Sequence, residues 1–194
     1  MINEIVKQGC YIVPIGSKVH NGRENEWRLS FNRAEKYLIF TFNHTQLMIY
    51  GMLKIILKEI ISQHEDISEL LCSYFLKTTL FWVIEETQRS IWDPKYMMLC
   101  FHLCLERLMK FIIEENCPNY FLPINNMFNG RFSLPGREKL LQIVFEVFES
   151  GLNWTLKSPT MCSLKSYLSD PYKLLDLKTA QKRKKSNRYC GNNS

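Results

Sequence analysis

The stretch Cys72–Trp82 combines an apolar background with three side chains that could contact a ligand. Ser73, Tyr74 and Lys77 fall within five residues, so a hydroxyl, a phenol and an ammonium lie close together. In a helix, Tyr74 and Lys77 would lie on one face, because residues three apart are neighbours there. From the spacing alone, the polar edge of a buried amphipathic helix explains this pattern better than a ligand-binding surface does.

Seven cysteines are spread over the chain without a CxxC pair. This usage is typical of reduced thiols in an intracellular protein and not of a disulfide framework. Cys100, His102 and Cys104 have a spacing that could suggest a metal site. In a helix, however, Cys100 and Cys104 share a face and His102 points elsewhere, so buried core cysteines are the favoured interpretation.

The order of apolar and polar residues predicts helices over most of the chain after Trp27. Asn32 and Glu35 have capping-box spacing at the first helix, Asn43 to Thr45 can cap the second, and Asp93-Pro94 marks the start of the fourth. Gly151 suits the left-handed position that ends the fifth helix. The predicted helices are about 32–40, 45–62, 69–86, 94–115 and 137–150, with a short sixth within 164–181 that Pro171 interrupts.

Residues 10–15 (CYIVPI) read as one short strand, and residues 16–26 as a polar loop. A single strand cannot satisfy its own backbone groups, so we expect that a sheet normally precedes it. The prediction is an all-α, compact bundle of about five to six helices preceded by one orphan strand. We divide the chain into a strand and loop (1–26), a helical lobe (27–160) and a basic, partly disordered tail (161–194).

The net charge of +6 is confined to the end of the chain. From Lys165 onward there are eight basic and two acidic residues, whereas the first 164 residues carry equal numbers of each. A neutral body argues against nucleic-acid binding through the helices. The run Lys182–Lys185 is interpreted as a solvated end, with nuclear import or phosphate binding as the alternatives. No signal peptide or membrane-spanning run is expected.

Four motifs in order resemble the C-terminal helical lobe of the cyclic GMP–AMP synthase-like nucleotidyltransferases, the Mab-21 (male abnormal) family. The resemblance covers about residues 9–151, and the strand GCYIVPIG resembles the last strand of that family's catalytic core. It implies a helix-hairpin-helix or helix-two-turn-helix-like fold. The motifs are EWRLSFNRAEK (26–36), SYFLKTTLFW (73–82), WDPKYMMLCFHLCLERL (92–108) and NYFLPINNMF (119–128).

The resemblance also implies a nucleotide site for ATP or GTP. By this resemblance, the ring of Tyr74 stacks on the base, which suits its flat aromatic face. Lys54 reaches the phosphates, and Lys77 is a weaker candidate one turn beyond Tyr74. The implied nucleotide-binding residues are Arg28, Ser30, Lys54, Ser73, Tyr74 and Lys77.

In this family a separate N-terminal lobe supplies a Gly-Ser loop and three acids that hold two Mg²⁺ or Mn²⁺ ions for phosphoryl transfer. Before Glu35 the only acids are Glu4, Glu24 and Glu26, and none forms the acid-x-acid pair on a strand that a two-metal site needs. We therefore expect no catalytic residue and no metal ligand in this chain. Activity would require the N-terminal lobe as a partner.

Members that sense DNA insert a zinc module with one His and three Cys between the first two helices of this lobe. The corresponding interval here, residues 40–45, contains His44 and no cysteine. The resemblance therefore argues against zinc-dependent DNA sensing. Nucleic acid could still bind through the basic tail.

The function expected from the resemblance is the nucleotide-cleft lobe of a cyclic GMP–AMP synthase-like protein, present as a fragment without catalytic carboxylates. Full-length relatives would make a cyclic dinucleotide in innate immune signalling, inside the cell, in the cytoplasm or the nucleus. The alternative is a non-enzymatic protein-interaction module of the same family, with the aromatic 119–128 segment as its surface.

Overall fold

The computed structural model describes residues 9–15 and 26–169, and this part is mostly helical with a short two-stranded antiparallel sheet. The predicted all-α class is confirmed. Four short 3₁₀ segments lie between the helices: Ile61–Gln63, Arg89–Ile91, Pro94–Tyr96 and Gly151–Lys157. The strands and α-helices are β1 Tyr11–Ile15, β2 Glu26–Ser30, α1 Asn32–Phe40, α2 His44–Glu59, α3 Ser73–Glu86, α4 Met97–Ile113, α5 Leu134–Glu149 and α6 Pro159–Ser169.

The orphan strand was a wrong prediction, because β1 pairs with β2 in an antiparallel ladder. Residues 27–30, which were predicted to open the helical lobe, form the second strand. Ile12 lies opposite Leu29 and Val13 opposite Arg28. The pairing satisfies backbone groups that a lone strand would leave free. The pattern of apolar residues did not indicate this strand, because it is five residues long and lies directly before a helix.

The two predicted caps near the start of the bundle had different outcomes. Asn43 caps α2 in a capping box with Gln46, whose side chain accepts a bond from the Asn43 backbone N–H at 2.9 Å. The Asn32–Glu35 box was wrong, since the N-cap of α1 is Phe31 and no side chain bonds there. The carboxylate of Glu35 instead pairs with Lys77 of α3.

Helix α3 begins at Ser73, four residues later than predicted. Arg131 explains the difference, because its guanidinium donates to the backbone carbonyls of Glu69 (2.6 Å) and Leu70 (2.7 Å). Those carbonyls are thereby held in a turn instead of a helix. The Arg131 side chain is exposed and connects two segments that are far apart in the chain.

The core lies among α2, α3, α4 and α5 and is built from apolar residues of these helices. Cys100 and Cys104 are fully buried within it, as expected for core cysteines. Gly151 has φ +54° after α5, in the predicted left-handed conformation. Helix α6 starts at Pro159, five residues before the predicted start, and Glu59 of α2 accepts bonds from its first turn. The tail beyond Ser169 lies outside the described residues.

Candidate functional site

The six predicted nucleotide-binding residues come from three elements. Arg28 and Ser30 lie on β2, Lys54 lies in the middle of α2, and the other three lie in the first two turns of α3. Alternation along β2 puts Arg28 and Ser30 on one face of the hairpin and Trp27 and Leu29 on the other.

Tyr74 is the residue of the set with the most contacts. It is half-buried, and its hydroxyl accepts a hydrogen bond from the side-chain amide of Asn119 at 3.1 Å. The ammonium of Lys77 lies 5.3 Å from the centre of the Tyr74 ring, within cation–π range. The ring is therefore held in one orientation by two neighbours on different segments.

Lys77 forms an ion pair with Glu35 of α1, with 2.6 Å between the ammonium and a carboxylate oxygen. The side chains are only 17% and 9% exposed, so both charges are largely removed from water. A partly buried pair of this kind is costly to break, because the remaining charge is left without compensation. Lys77 is thus an oriented cation whose charge is already partly neutralised.

Burial, and then the negative charge of Glu35, raise the pKa of the Tyr74 phenol to about 12. The same two causes raise the pKa of Tyr50 on α2. Both phenols therefore stay protonated near neutral pH and can donate a hydrogen bond. The positive charge of Arg28 acts on Tyr74 in the opposite direction, so its guanidinium lies within electrostatic reach of the same ring.

Lys54 extends the group along α2. Its side chain is exposed, and its ammonium lies 5.5 Å from the centre of the Tyr50 ring. Glu35 acts on both Tyr50 and Tyr74 and is paired with Lys77, so two phenols and one ammonium lie around one carboxylate. Lys54 and Arg28 join this group through Tyr50 and Tyr74, respectively.

Ser30 and Ser73 are less tightly integrated. Ser30 is half-buried at the end of β2, and Ser73 is exposed as the first residue of α3. The N-cap residue Cys72 contributes no side-chain bond to that helix end. The start of α3 therefore presents backbone N–H groups and the positive end of a helix dipole beside Tyr74.

Glu35 and Asn119 belong to this site, and sequence reasoning missed both. Both are buried polar residues, at 7% and 6% exposure. Asn119 also accepts bonds from the backbone N–H groups of Phe121 (2.9 Å) and Leu122 (3.2 Å). An asparagine that bonds to the backbone two residues later is a sequence-visible turn signal, whereas nothing local marked Glu35 as the partner of Lys77.

The described residues do not fit a magnesium or manganese site. Within 9–15 and 26–169, no three His, Cys, Asp or Glu side chains are grouped so that they could hold an ion. Glu35, the buried acid of the site, is already paired with Lys77. The ring centre of His102 lies 5.0 Å from that of Phe148, and His102 does not share the helix face of the two buried cysteines.

The connection between α1 and α2 is only three residues long, 41–43. In the described part of the chain, no helix has the length and hydropathy needed to cross a bilayer.

Comparison with known proteins places these residues in a family. The model of the "Mab-21 protein HhH/H2TH-like domain" matches residues 48–144, which include Lys54, Ser73, Tyr74 and Lys77. Arg28, Ser30 and Glu35 precede the matched range.

Three relatives align with about two thirds of the chain. Cyclic GMP-AMP synthase of Mus musculus is 28% identical in an alignment of 138 positions that covers 63% of this chain and 27% of that protein. The protein of the same name from Sus scrofa is 28% identical in an alignment of 143 positions that covers 66% of this chain and 29% of the relative. A cyclic GMP-AMP synthase-like receptor of Nicrophorus vespilloides is 31% identical over 123 residues, 63% and 31% of the two chains.

The aligned region therefore spans less than a third of the length of these relatives. Because the family model covers half of the chain, the chain belongs to the Mab-21 family, through its helical HhH/H2TH-like domain.

Proposed function

We propose that this domain forms one wall of the nucleotide cleft of a cyclic GMP–AMP synthase-like protein. The observation that carries the proposal is the arrangement around Glu35. A fixed aromatic ring, Tyr74, has the ammonium of Lys77 over it and the guanidinium of Arg28 within electrostatic reach. A flat ring beside cations suits a base attached to a chain of phosphates.

Each side chain then has a role that its surroundings support. Tyr74 stacks on the base, because Asn119 and Lys77 already hold its ring in place. Lys54 contacts the triphosphate, because its ammonium is exposed and has no ion-pair partner among the described residues. Lys77 orients Tyr74 and contributes a weaker positive field. Arg28, Ser30 and Ser73 add polar contacts at the edges, and the uncapped start of α3 favours an anion.

In the whole protein, we propose that a second lobe carries the carboxylates that hold Mg²⁺ or Mn²⁺, which polarise phosphate oxygens in nucleotidyl transfer. The names of the relatives suggest a cyclic dinucleotide as product, and we propose an intracellular immune setting. The described residues here bind and orient a nucleoside triphosphate and supply none of the metal ligands.

The hairpin offers a surface for that second lobe. Ile12, Trp27 and Leu29 share one face of it and are 65%, 61% and 44% exposed. A two-stranded hairpin is only marginally stable unless further strands or a helix cover it. We propose that the sheet of the catalytic lobe packs on this face.

The proposal is tested by calorimetric titration of the chain with ATP and with GTP in the presence of Mg²⁺. Lys54→Ala should weaken binding by about tenfold, as expected for loss of one charged contact. Lys110→Ala removes an exposed lysine from α4 and is the matched control. Equal affinities for the wild type, Lys54→Ala and Tyr74→Ala would refute the proposed site.

A second experiment tests the dependence on the other lobe. The chain is incubated with ATP, GTP and Mg²⁺ or Mn²⁺, and we expect no dinucleotide. Product that disappears in Tyr74→Ala would show that this chain is itself an active enzyme.

The second candidate is a non-enzymatic protein-interaction module, and the exposed apolar face of the hairpin favours it. The 119–128 segment presents less aromatic surface than its sequence suggests. Phe128 is buried, and Tyr120 and Phe121 pack on Phe81 at 5.1 and 6.2 Å between ring centres. Partner capture lost in Trp27→Ser but unaffected by Lys54→Ala and Tyr74→Ala would favour this function.

A further inference from the structure

A cavity lies where α1 ends, α2 begins and α3 ends. Its volume is about 450 Å³, and it is lined by residues of these three helices, of the Arg89–Ile91 turn and of the 119–128 segment. This volume falls within the range of small-molecule sites. None of the predicted nucleotide-binding residues lines the cavity.

Aromatic side chains form the walls. Phe81 is the centre of the group, with Phe42 at 5.8 Å edge-on and Tyr120 at 5.1 Å in a tilted arrangement between ring centres. Trp92 closes one side and is itself buried. Walls of this kind favour a flat ligand, because aromatic rings gain most from contact along their faces and edges.

Hydrogen bonds hold these walls in place before any ligand binds. The indole N–H of Trp92 donates to the hydroxyl of Thr87 at 3.0 Å, and the side-chain amide of Asn43 donates to the Trp92 carbonyl at 2.9 Å. Asn43 is in turn fixed by its capping box with Gln46. A cavity with fixed walls loses little conformational entropy on binding.

The mouth of the cavity carries one group of each charge. Arg89 is exposed, and its guanidinium makes no hydrogen bond or ion pair within the described ranges. Glu85 lies beside Tyr120, whose phenol has its pKa raised first by burial and then by this carboxylate. One edge of the cavity thus offers the guanidinium N–H donors of Arg89 and the carboxylate acceptor of Glu85.

We propose that this cavity binds a planar heteroaromatic molecule of one or two rings that carries an acidic group and an amino group at one edge. The rings lie in the cavity against the wall formed by Phe42, Phe81 and Tyr120. The acidic group pairs with Arg89, which suits planar bidentate recognition. The amino group donates to Glu85.

The cavity is separate from the nucleotide surface. Tyr74 and Glu85 both lie on α3, eleven residues apart, which corresponds to about 16 Å at the rise of an α-helix. Between them, the three residues Asn119–Phe121 contact both places, since Asn119 bonds to Tyr74 and Tyr120 lines the cavity.

The test is a titration of the chain with 3-aminopyrazine-2-carboxylate, a planar heteroaromatic probe whose amino and carboxylate groups lie on neighbouring ring carbons. Binding is followed by the fluorescence of the tryptophans, of which Trp92 lines the cavity. We expect saturable binding that Arg89→Ala weakens by about tenfold, because one charged contact is lost. Ile84→Trp should abolish binding by filling the cavity that Ile84 lines. Lys95→Ala, which removes an exposed charge on the neighbouring 3₁₀ turn, should leave the affinity unchanged.

Absence of saturation up to about 1 mM probe, where the binding free energy would be weaker than about −4 kcal/mol, would overturn the proposal. Unchanged affinity in Arg89→Ala, or an equal loss in Lys95→Ala, would do the same. Circular dichroism and melting temperature establish that each variant folds. If Ile84→Trp does not fold, the affinity of Arg89→Ala for the probe decides the proposal alone. The nucleotide titrations of Lys54→Ala are independent of this probe, so failure of one proposal does not imply failure of the other.

Discussion

At the scale of single residues, Glu35 gives the candidate site its electrostatic character. Its carboxylate holds Lys77 at 2.6 Å and raises the pKa values of two phenols on different helices. Lys77 is consequently less available to an incoming phosphate than the exposed Lys54. The order of importance expected for phosphate binding is therefore Lys54 before Lys77.

Replacing Glu35 with glutamine should lower the pKa of Tyr74 from about 12, because a negative charge beside the phenol is removed. The pKa should stay above 10.0, since burial is the larger cause. The ultraviolet absorbance of tyrosinate, compared between proteins with and without Tyr74→Phe, measures this value. Glu69→Gln makes the same chemical change at an exposed position and should have no effect; a Tyr74 pKa that does not move in Glu35→Gln would contradict the assignment.

The raised pKa of Tyr74 also predicts a loss of stability in alkali. The phenol ionises at about 10 in the unfolded chain and at about 12 in the folded one. Its contribution is therefore complete below pH 10 and is lost as the pH rises from 10 to 12. Urea unfolding across this range should show a shallower decline for Tyr74→Phe than for the wild type, and parallel curves would exclude the effect.

At the scale of elements, the two asparagines near the start of the bundle make a matched pair. Asn43→Ala should destabilise the protein by about 1 kcal/mol or somewhat more, because the α2 cap and the bond to Trp92 are both lost. Asn32→Ala should change the free energy of unfolding by less than about 0.5 kcal/mol, since Asn32 is exposed and caps nothing. Chemical denaturation distinguishes them; equal effects would mean that sequence spacing, and not the observed geometry, identifies the cap.

Two glycines provide a second matched pair. Gly151 has φ +54°, a conformation that costs a residue with a side chain about 1 kcal/mol, so Gly151→Ala should destabilise by about that amount. Gly51 lies inside α2 with open space at the position of a Cβ atom. Gly51→Ala should stabilise by about 0.5–1 kcal/mol, because alanine has the higher helix propensity. Thermal melts give both signs, and stabilisation by Gly151→Ala would contradict the left-handed cap.

At the scale of the whole molecule, charge separates two ways of binding a polyanion. The first 164 residues are neutral, and the basic surplus lies from Lys165 onward. If nucleic acid binds through the tail, deletion of residues 182–194 should abolish a salt-sensitive gel shift, because the phosphate contacts are lost. A shift that persists after the deletion would assign binding to the helical body.

The course of the helices could be predicted from sequence, because apolar periodicity is a local property that survives in the fold. The bounds of α1 and the end of α3 agree with the prediction. The cap at Asn43 and the left-handed glycine at Gly151 were also predicted correctly. Errors arose where a distant residue decided the local structure. Arg131 delays the start of α3, and Glu59 caps α6 from the end of α2.

The candidate site shows the same division. Sequence motifs selected Arg28, Ser30, Lys54, Ser73, Tyr74 and Lys77, and whether these residues bind nucleotide stays a prediction. The pairing of Glu35 with Lys77 joins residues 42 positions apart, and the bond between Asn119 and Tyr74 joins residues 45 apart. No local pattern encodes such distances.

The sequence by itself determined the helical class, the membership of a nucleotidyltransferase-like family and the neutral body with a basic tail. Only the tertiary structure decided that β1 has a partner, that Lys77 is neutralised by a buried acid and that a second, aromatic cavity lies beyond Phe81. The physical reason is that composition and periodicity act over a few residues, whereas burial and charge pairing depend on which segments meet in the folded chain.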